Sequence, residues 1–292
     1  FGVVTNIDND HLDIYTGIKE IEATFRSFTS QIQEDGCLIY NRDDRALTDI
    51  AYEHSTKRFS FGILSDAEVR AEGIRQRADG TDFDLVVRGE NLGRARTRLF
   101  GTHNVYNTLA AVSACLKAGI RPHDILSVLS GFSGVHRRLD VHFYDERYRV
   151  LDDYAHHPTE IRATLDILRS TLRAEEELVV IYQPHRYSRT MHLRDEIRDS
   201  LCGEDTVILT DIYGAGEKPI PGVSAEALCA GIDALPPAMY IPFDRLLHSL
   251  SNVLPARATV GCAVVPASRS SSVRPNSAMC ASSTSALAPS SG

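Results

Sequence analysis

Apolar positions along this chain recur at two spacings, and the switches between them divide it into elements. Gly2-Val3-Val4 reads as a strand running into the polar turn Asp8-Asn9-Asp10-His11. After it Ile21, Phe25, Phe28 and Ile32 recur at the three- and four-residue intervals of one helix face. Residues 37–40 followed by Asn41-Arg42-Asp43-Asp44 repeat the strand-to-polar-turn pattern, and residues 57–61 alternate as a short strand. Residues 83–87 and 95–99 predict an antiparallel pair closed by a glycine-containing loop. Gly101-Thr102-His103-Asn104 opens a long apolar helix that stops at Gly119, and a shorter helix follows from Pro122 to about Leu129.

The segment 132–139, with Gly134 and the pair Arg137-Arg138, is the predicted domain boundary. Beyond it, strands near 148–152, 178–183, 206–210 and 238–241 are separated by helices near 159–172, 190–201, 224–230 and 243–253. That rhythm predicts an α/β fold with a parallel sheet and right-handed crossovers. Periodicity stops near Pro255. Residues 256–292 are rich in Ser and Ala and are expected to be disordered, since such a stretch buries too little apolar surface to offset its ordering entropy. The expected parts are therefore 1–139, 140–255 and a tail, 256–292. The abrupt loss of pattern suits a change of reading frame near Pro255, and a start at Phe1 inside a strand, with no initiator Met, suits a truncation.

Composition narrows the function. The 292 residues are 43% hydrophobic and 24% charged, with net charge −8. This acidity disfavours nucleic acid and anionic membrane surfaces as partners, and points to a small metabolite. No apolar run approaches the roughly 18 residues that span a bilayer. Six scattered cysteines without paired spacing read as free thiols of a reducing cytoplasm. Oligomeric state is not legible.

The densest chemistry is Asp152-Asp153-Tyr154-Ala155-His156-His157-Pro158-Thr159-Glu160, where a strand end delivers carboxylates, a phenol and imidazoles to a turn that Pro158 converts into a helix. A second apolar run ends in Gln183-Pro184-His185-Arg186-Tyr187-Ser188-Arg189, so two neighbouring strand ends are expected to pool their groups in one site. Arg186 and Arg189, three apart at an exposed helix start, suit a carboxylate or diphosphate. Asn104 and Asn107 share a turn-face where two amides can hydrogen-bond a planar base, although Asn104 equally suits a helix N-cap. Arg137 and Arg138 can reach a polyphosphate or stay as surface charge. His11, among carboxylates, suits a magnesium-phosphate site or a solvated turn. Zinc at His156-His157 is the weaker reading, because adjacent histidines point apart. No Gly-rich loop ending in Lys-Ser/Thr occurs in the chain.

Together, residues 3–13, the His103-Asn104-Val105-Tyr106-Asn107 helix start, residues 152–160 and residues 183–190 resemble the Mur ligases, in order, across roughly residues 1–255. The His-His-Pro-Thr-Glu and Gln-Pro-His-Arg-Tyr-Ser-Arg stretches are similar to the alanine-adding branch; the murein tripeptide-recycling branch shares the first. The resemblance implies the C-terminal part of a central ATPase domain, its phosphate loop lying upstream, followed by a Rossmann-like parallel-sheet domain. It implies ATP- and Mg2+-dependent ligation of L-alanine to UDP-N-acetylmuramate through an acyl phosphate, in the cytoplasm, as a step of peptidoglycan synthesis. By position, His11 is implied as a magnesium ligand, Asn104 and Asn107 as adenine contacts, Arg137, Arg138 and Asp152 as ATP contacts. Tyr154, His156, Arg186 and Arg189 are implied at the nucleotide-sugar and alanine end, the last three as catalytic groups. Without a phosphate loop, the chain as given is expected to be inactive alone. The competing reading is a noncatalytic nucleotide-binding module.

Overall fold

The computed structural model describes residues 1–10, 14–53, 57–77, 80–132, 134–135, 137–234 and 236–263, with backbone alone at Cys262 and Ala263. His11 therefore lies outside the described residues, as do 264–292 of the predicted tail.

The first half is one sheet whose strands lie side by side in chain order. β1 (Gly2–Val4), β2 (Cys37–Asn41), β3 (Lys57–Gly62) and β4 (Val69–Arg77) run parallel, and β5 (Gly80–Val87) and β6 (Glu90–Thr97) extend the sheet antiparallel. The predicted pair appears as β5 and β6, with Phe83 opposite Ala95. β4 has no counterpart among the predicted strands. Its apolar alternation ends after Val69 and Ala71, where a bulge between Glu72 and Arg75 breaks the register. Helices α1 (Ile18–Ser30), α2 (Arg45–Glu53), α3 (Thr102–Lys117) and α4 (Pro122–Leu129) cover the sheet. The apolar face of α3, led by Val105 and Leu109, is fully buried against Phe59, Phe61, Phe83 and Leu85. Truncating such a leucine costs roughly 2–5 kcal/mol, so this contact is a main tie between helix and sheet.

The second half contains β7 (Asp140–Tyr144), β8 (Tyr148–Asp152), α5 (Pro158–Ser170), β9 (Glu177–Tyr182), α6 (Tyr187–His192), α7 (Arg194–Leu201), β10 (Thr206–Leu209), α8 (Ala225–Cys229), β11 (Met239–Tyr240), α9 (Phe243–Val253) and β12 (Ala258–Ala263). The sheet order is β11-β10-β9-β12-β8-β7, parallel except for β7, which forms an antiparallel hairpin with β8. The expected all-parallel sheet is thus edged by one reversed strand.

Order does not stop at Pro255. Residues 258–263 form β12, inserted between β9 and β8 at the middle of the sheet. Ala258, Thr259 and Val260 are buried, so the strand lacks the apolar-polar alternation of a half-exposed one and resembles the low-complexity run behind it. Gly261 lets Leu168 pack close, since a Cβ there would come within 2.6 Å of Leu168 Cδ1 and displace that side chain. The predicted tail loses its first residues to the core.

Candidate functional site

β8 and β9 end on the same edge of the second sheet, but they are not neighbours: β12 runs between them. Their loops still converge beyond it. The rings of Tyr154 and His156 lie 5.0 Å apart, His156 and His185 5.6 Å, and His185 stacks on Tyr213 at 5.7 Å. After β8, His157 caps α5: its Nδ1 accepts from Thr159 N, while Glu160 Oε2 accepts from the backbone N–H of His156 (3.1 Å) and His157 (3.4 Å). After β9, Arg186 adopts φ 68° and ψ 139°, a left-handed conformation costing a non-glycine residue on the order of 1–3 kcal/mol. Backbone bonds from Arg186 N to Tyr213 O (2.8 Å) and from Tyr213 N to Pro184 O (2.8 Å) hold it there.

Arg189 is not the exposed helix-start arginine expected from the sequence. Its side chain is 9% exposed and divides its donors between the two halves of the molecule: Nη1 lies 2.9 Å from His185 Nδ1, and Nη2 donates to Asp10 Oδ1 at 3.1 Å. The loop after β1 makes further contacts with the second half, among them His157 Nδ1 at 3.7 Å from Asp8 Oδ2. Thr159 Oγ1 donates to Asp8 Oδ2 (2.8 Å), and His157 Nε2 meets Asn9 O at 3.3 Å. Arg186 sits beside Glu217 at 4.0 Å.

The two central imidazoles differ in what they present. Burial, reinforced by Arg189, His156 and Arg186, pushes His185 down to about 4, so it is neutral at pH 7. With Nδ1 accepting from Arg189, the proton is assigned to Nε2. Burial also lowers His156, against the opposing pull of Glu160. Its Nδ1 is 2.8 Å from Tyr154 O, an arrangement that assigns N–H to Nδ1 and leaves the Nε2 lone pair available. One ring offers a donor and its neighbour an acceptor.

The nucleotide candidates gather separately. Asn104 and Asn107 line a cleft of about 1060 Å3 together with Arg138, Thr159 and Glu160. Gly101, not Asn104, is the N-cap of α3; Asn104 Nδ2 donates to Phe100 O (2.8 Å) and Asn107 Nδ2 to Asn104 Oδ1 (3.3 Å). The capping alternative for Asn104 therefore falls. Arg138 Nη1 is 3.3 Å from Glu160 Oε1 and 3.9 Å from Asp153 Oδ1. Burial raises the Glu160 carboxyl, but His156, two backbone N–H groups and Arg138 outweigh it and hold the group below its ordinary range. Glu160 thereby ties the Arg138 end of the cleft to the His156 turn. Arg137 covers the Tyr154 ring at 4.8 Å and approaches Asp152 Oδ2 at 3.9 Å.

The fold thus joins Tyr154, His156 and Arg189, and joins Asn104, Asn107 and Arg138, but these are two adjoining groups rather than one pocket. His185 is the central residue that sequence reasoning did not single out; its signal was its place between Pro184 and Arg186 in the second loop. The adjacent His156 and His157 direct their rings at different partners, Tyr154 O and Asn9 O, which speaks against a shared zinc.

The sequence model of the Mur ligase middle domain matches residues 1–115, and that of the Mur ligase glutamate ligase domain matches residues 137–257. This chain belongs to the Mur ligase family. It is 41% identical over 225 residues to the UDP-N-acetylmuramate–L-alanine ligase of Dictyoglomus turgidum, covering 77% of this chain and 48% of that protein. In structure it is similar to the UDP-N-acetylmuramate-alanine ligase of Thermotoga maritima, with TM-score 0.66, 22% identity, and coverage of 90% of this chain and 56% of that one. It is also similar to the MurF ligase of the same organism in complex with ADP, with TM-score 0.69, 14% identity, and coverage of 89% and 57%. The chain spans about half the length of the curated relatives it matches.

Proposed function

We propose that this chain is the adenine-holding and amino-acid-adding part of an enzyme that ligates L-alanine to UDP-N-acetylmuramate. The carrying observation is the half-buried constellation Tyr154, His156, His185 and Arg189 at the carboxyl edge of the second sheet, tied to the first by Asp10. ATP supplies the phosphoryl group that activates the lactyl carboxylate as an acyl phosphate.

The residues of this chain then have separable tasks. Asn104 and Asn107, linked amide to amide, suit a planar base, and Arg138 on the same cleft suits its phosphates. Arg137 and Asp152 stand at the edge of that region. Arg186 and Arg189 suit the anionic groups of the nucleotide sugar or alanine. Neutral His156, with its Nε2 lone pair exposed to the site, suits removal of a proton from the alanine ammonium. The released amine attacks the acyl carbon, and phosphate leaves. His185 suits donation to the oxygen that gains charge in that step. His11, next in sequence to Asp8-Asn9-Asp10, is the proposed magnesium ligand.

The test is a chimera that joins the upstream half of the Dictyoglomus turgidum relative to this chain. Phosphate release should require both UDP-N-acetylmuramate and L-alanine, and His156→Gln should abolish it while leaving ATP affinity within twofold. Release that needs no amino acid, or that prefers a peptide acceptor, would sink this reading. The 292-residue chain by itself is expected to release none.

A further inference from the structure

The β7-β8 hairpin at the edge of the second sheet carries a group of ligating atoms separate from the histidine cluster. Asp140 and Asp152 are directly opposite in the antiparallel register, and His142 follows on the same strand as Asp140. One carboxylate oxygen from each aspartate and one imidazole nitrogen lie within 4.8 Å of one another. Two like charges facing each other across a strand pair destabilise it, so this arrangement calls for a cation. Arg137 faces both carboxylates: its guanidinium is 3.9 Å from Asp152 Oδ2, and its backbone N–H donates to Asp140 Oδ2 at 3.1 Å.

The other oxygen of Asp152 is different. Oδ1 is closed off from solvent and accepts no hydrogen bond, although His142 Nε2 stands only 3.3 Å away. At that distance the pair lacks the alignment of a hydrogen bond, so no proton is shared between the two atoms. Two atoms that face a common point rather than each other have this geometry. Ligands held 2.0–2.2 Å from a tetrahedral ion are separated by about 3.4 Å.

We propose that Asp140, His142 and Asp152 form a binding site for a borderline divalent transition-metal ion of the zinc class. An imidazole with two carboxylates matches such ions and not magnesium, which takes oxygen ligands and retains its water. His142 is 56% exposed, leaving the fourth position to water and the ion within reach of exchange. The site shares Asp152 with the ATP contacts proposed above, so its test reads metal binding and not ligation.

The experiment uses the 292-residue chain, dialysed against EDTA and then titrated with zinc chloride in a non-chelating buffer by calorimetry. A parallel titration with cobalt chloride reads the visible absorption of a low-coordinate site. The expected result is a saturable site that weakens at least tenfold in His142→Ala and, separately, in Asp152→Asn, with circular dichroism of both variants unchanged. His123→Ala, a histidine that is 92% exposed and outside the hairpin, should bind as the parent does. Zinc affinity that survives His142→Ala, or that falls equally in His123→Ala, overturns the proposal, as does cobalt binding without a visible band.

Discussion

The polar turns of the two sheets carry similar residues and use them in opposite ways. In the first, Asp43 spends its carboxylate on the architecture: it accepts from Ile63 N (2.6 Å), Leu64 N (2.9 Å), Ser65 N (2.7 Å) and the Tyr106 hydroxyl (2.8 Å), all from its own domain. In the second, Arg189 is completed by Asp10, a residue 179 positions away in the other half. Asp43 is locked whatever the halves do, whereas Arg189 is satisfied only when they are docked. A charged group committed locally makes a rigid scaffold; one committed across a domain contact can be handed to a ligand when that contact opens.

The largest test of this difference is Arg189→Ala. With 9% of the arginine side chain exposed and Asp10 28% exposed, the pair is protected from water enough to matter, and removing the cation takes one partner from each of Asp10 and His185. A loss of roughly 2 kcal/mol is expected, a fall of about 5 °C in melting temperature for a chain of this size. In the chimera, ligation should fall more than tenfold, with partial rescue by Arg189→Lys because a point charge keeps only one of the two contacts. An unchanged melting temperature would break the comparison.

Next comes the adenine side, where the groups are neutral. Asn104→Ala with Asn107→Ala should weaken ATP binding by about 1 kcal/mol per amide, read as a rise in the ATP KM with little change in the nucleotide-sugar KM. Equal rises in both constants would show that the two amides serve packing. The third test uses pH. His185 is depressed to about 4 in the folded state, below its unfolded value near 6.5, so its contribution to stability is complete above pH 6.5 and is lost as pH falls towards 4. The ring is half-buried, and after allowance for screening the loss is roughly 1–2 kcal/mol. His185→Gln should flatten the stability curve between pH 6.5 and 4; a variant as acid-sensitive as the parent would show that the ring is already protonated or open to water.

Much of this was legible in the sequence, for reasons that can be stated. The β8 and β9 ends announced themselves because apolar runs stop abruptly at polar clusters and Pro158 marks the first turn of α5. β12 did not, because a strand buried on both faces and built from Ala, Thr, Val and Gly has no alternation to read. The burial of Arg189 was invisible for another reason: spacing places Arg186 and Arg189 near one another, but nothing local encodes a partner on the loop after β1. β7 was missed because Asp140-Val141-His142-Phe143-Tyr144 follows directly on the polar boundary segment and is short, with two of its five positions polar. Local pattern reports what a segment does to itself, and the site depends on what distant loops do to each other.

The smallest expected effect concerns Asp43, the locally committed counterpart of Arg189. Burial acts to raise its carboxyl, but three backbone N–H donors and the Tyr106 hydroxyl outweigh this and bring it to about 2. The folded value lies below the unfolded one near 3.9, so the stabilisation is complete above pH 4 and disappears as pH falls through 2. The full shift corresponds to a little over 2 kcal/mol, and solvent screening of this half-buried group reduces it to about 1 kcal/mol. In urea titrations at pH 7, Asp43→Asn should be less stable than the parent by about that amount; at pH 2.5 the difference should shrink by at least half. If the Asp43→Asn deficit were independent of pH, the carboxylate charge would not be the source of its grip, and the contrast would reduce to hydrogen-bond count.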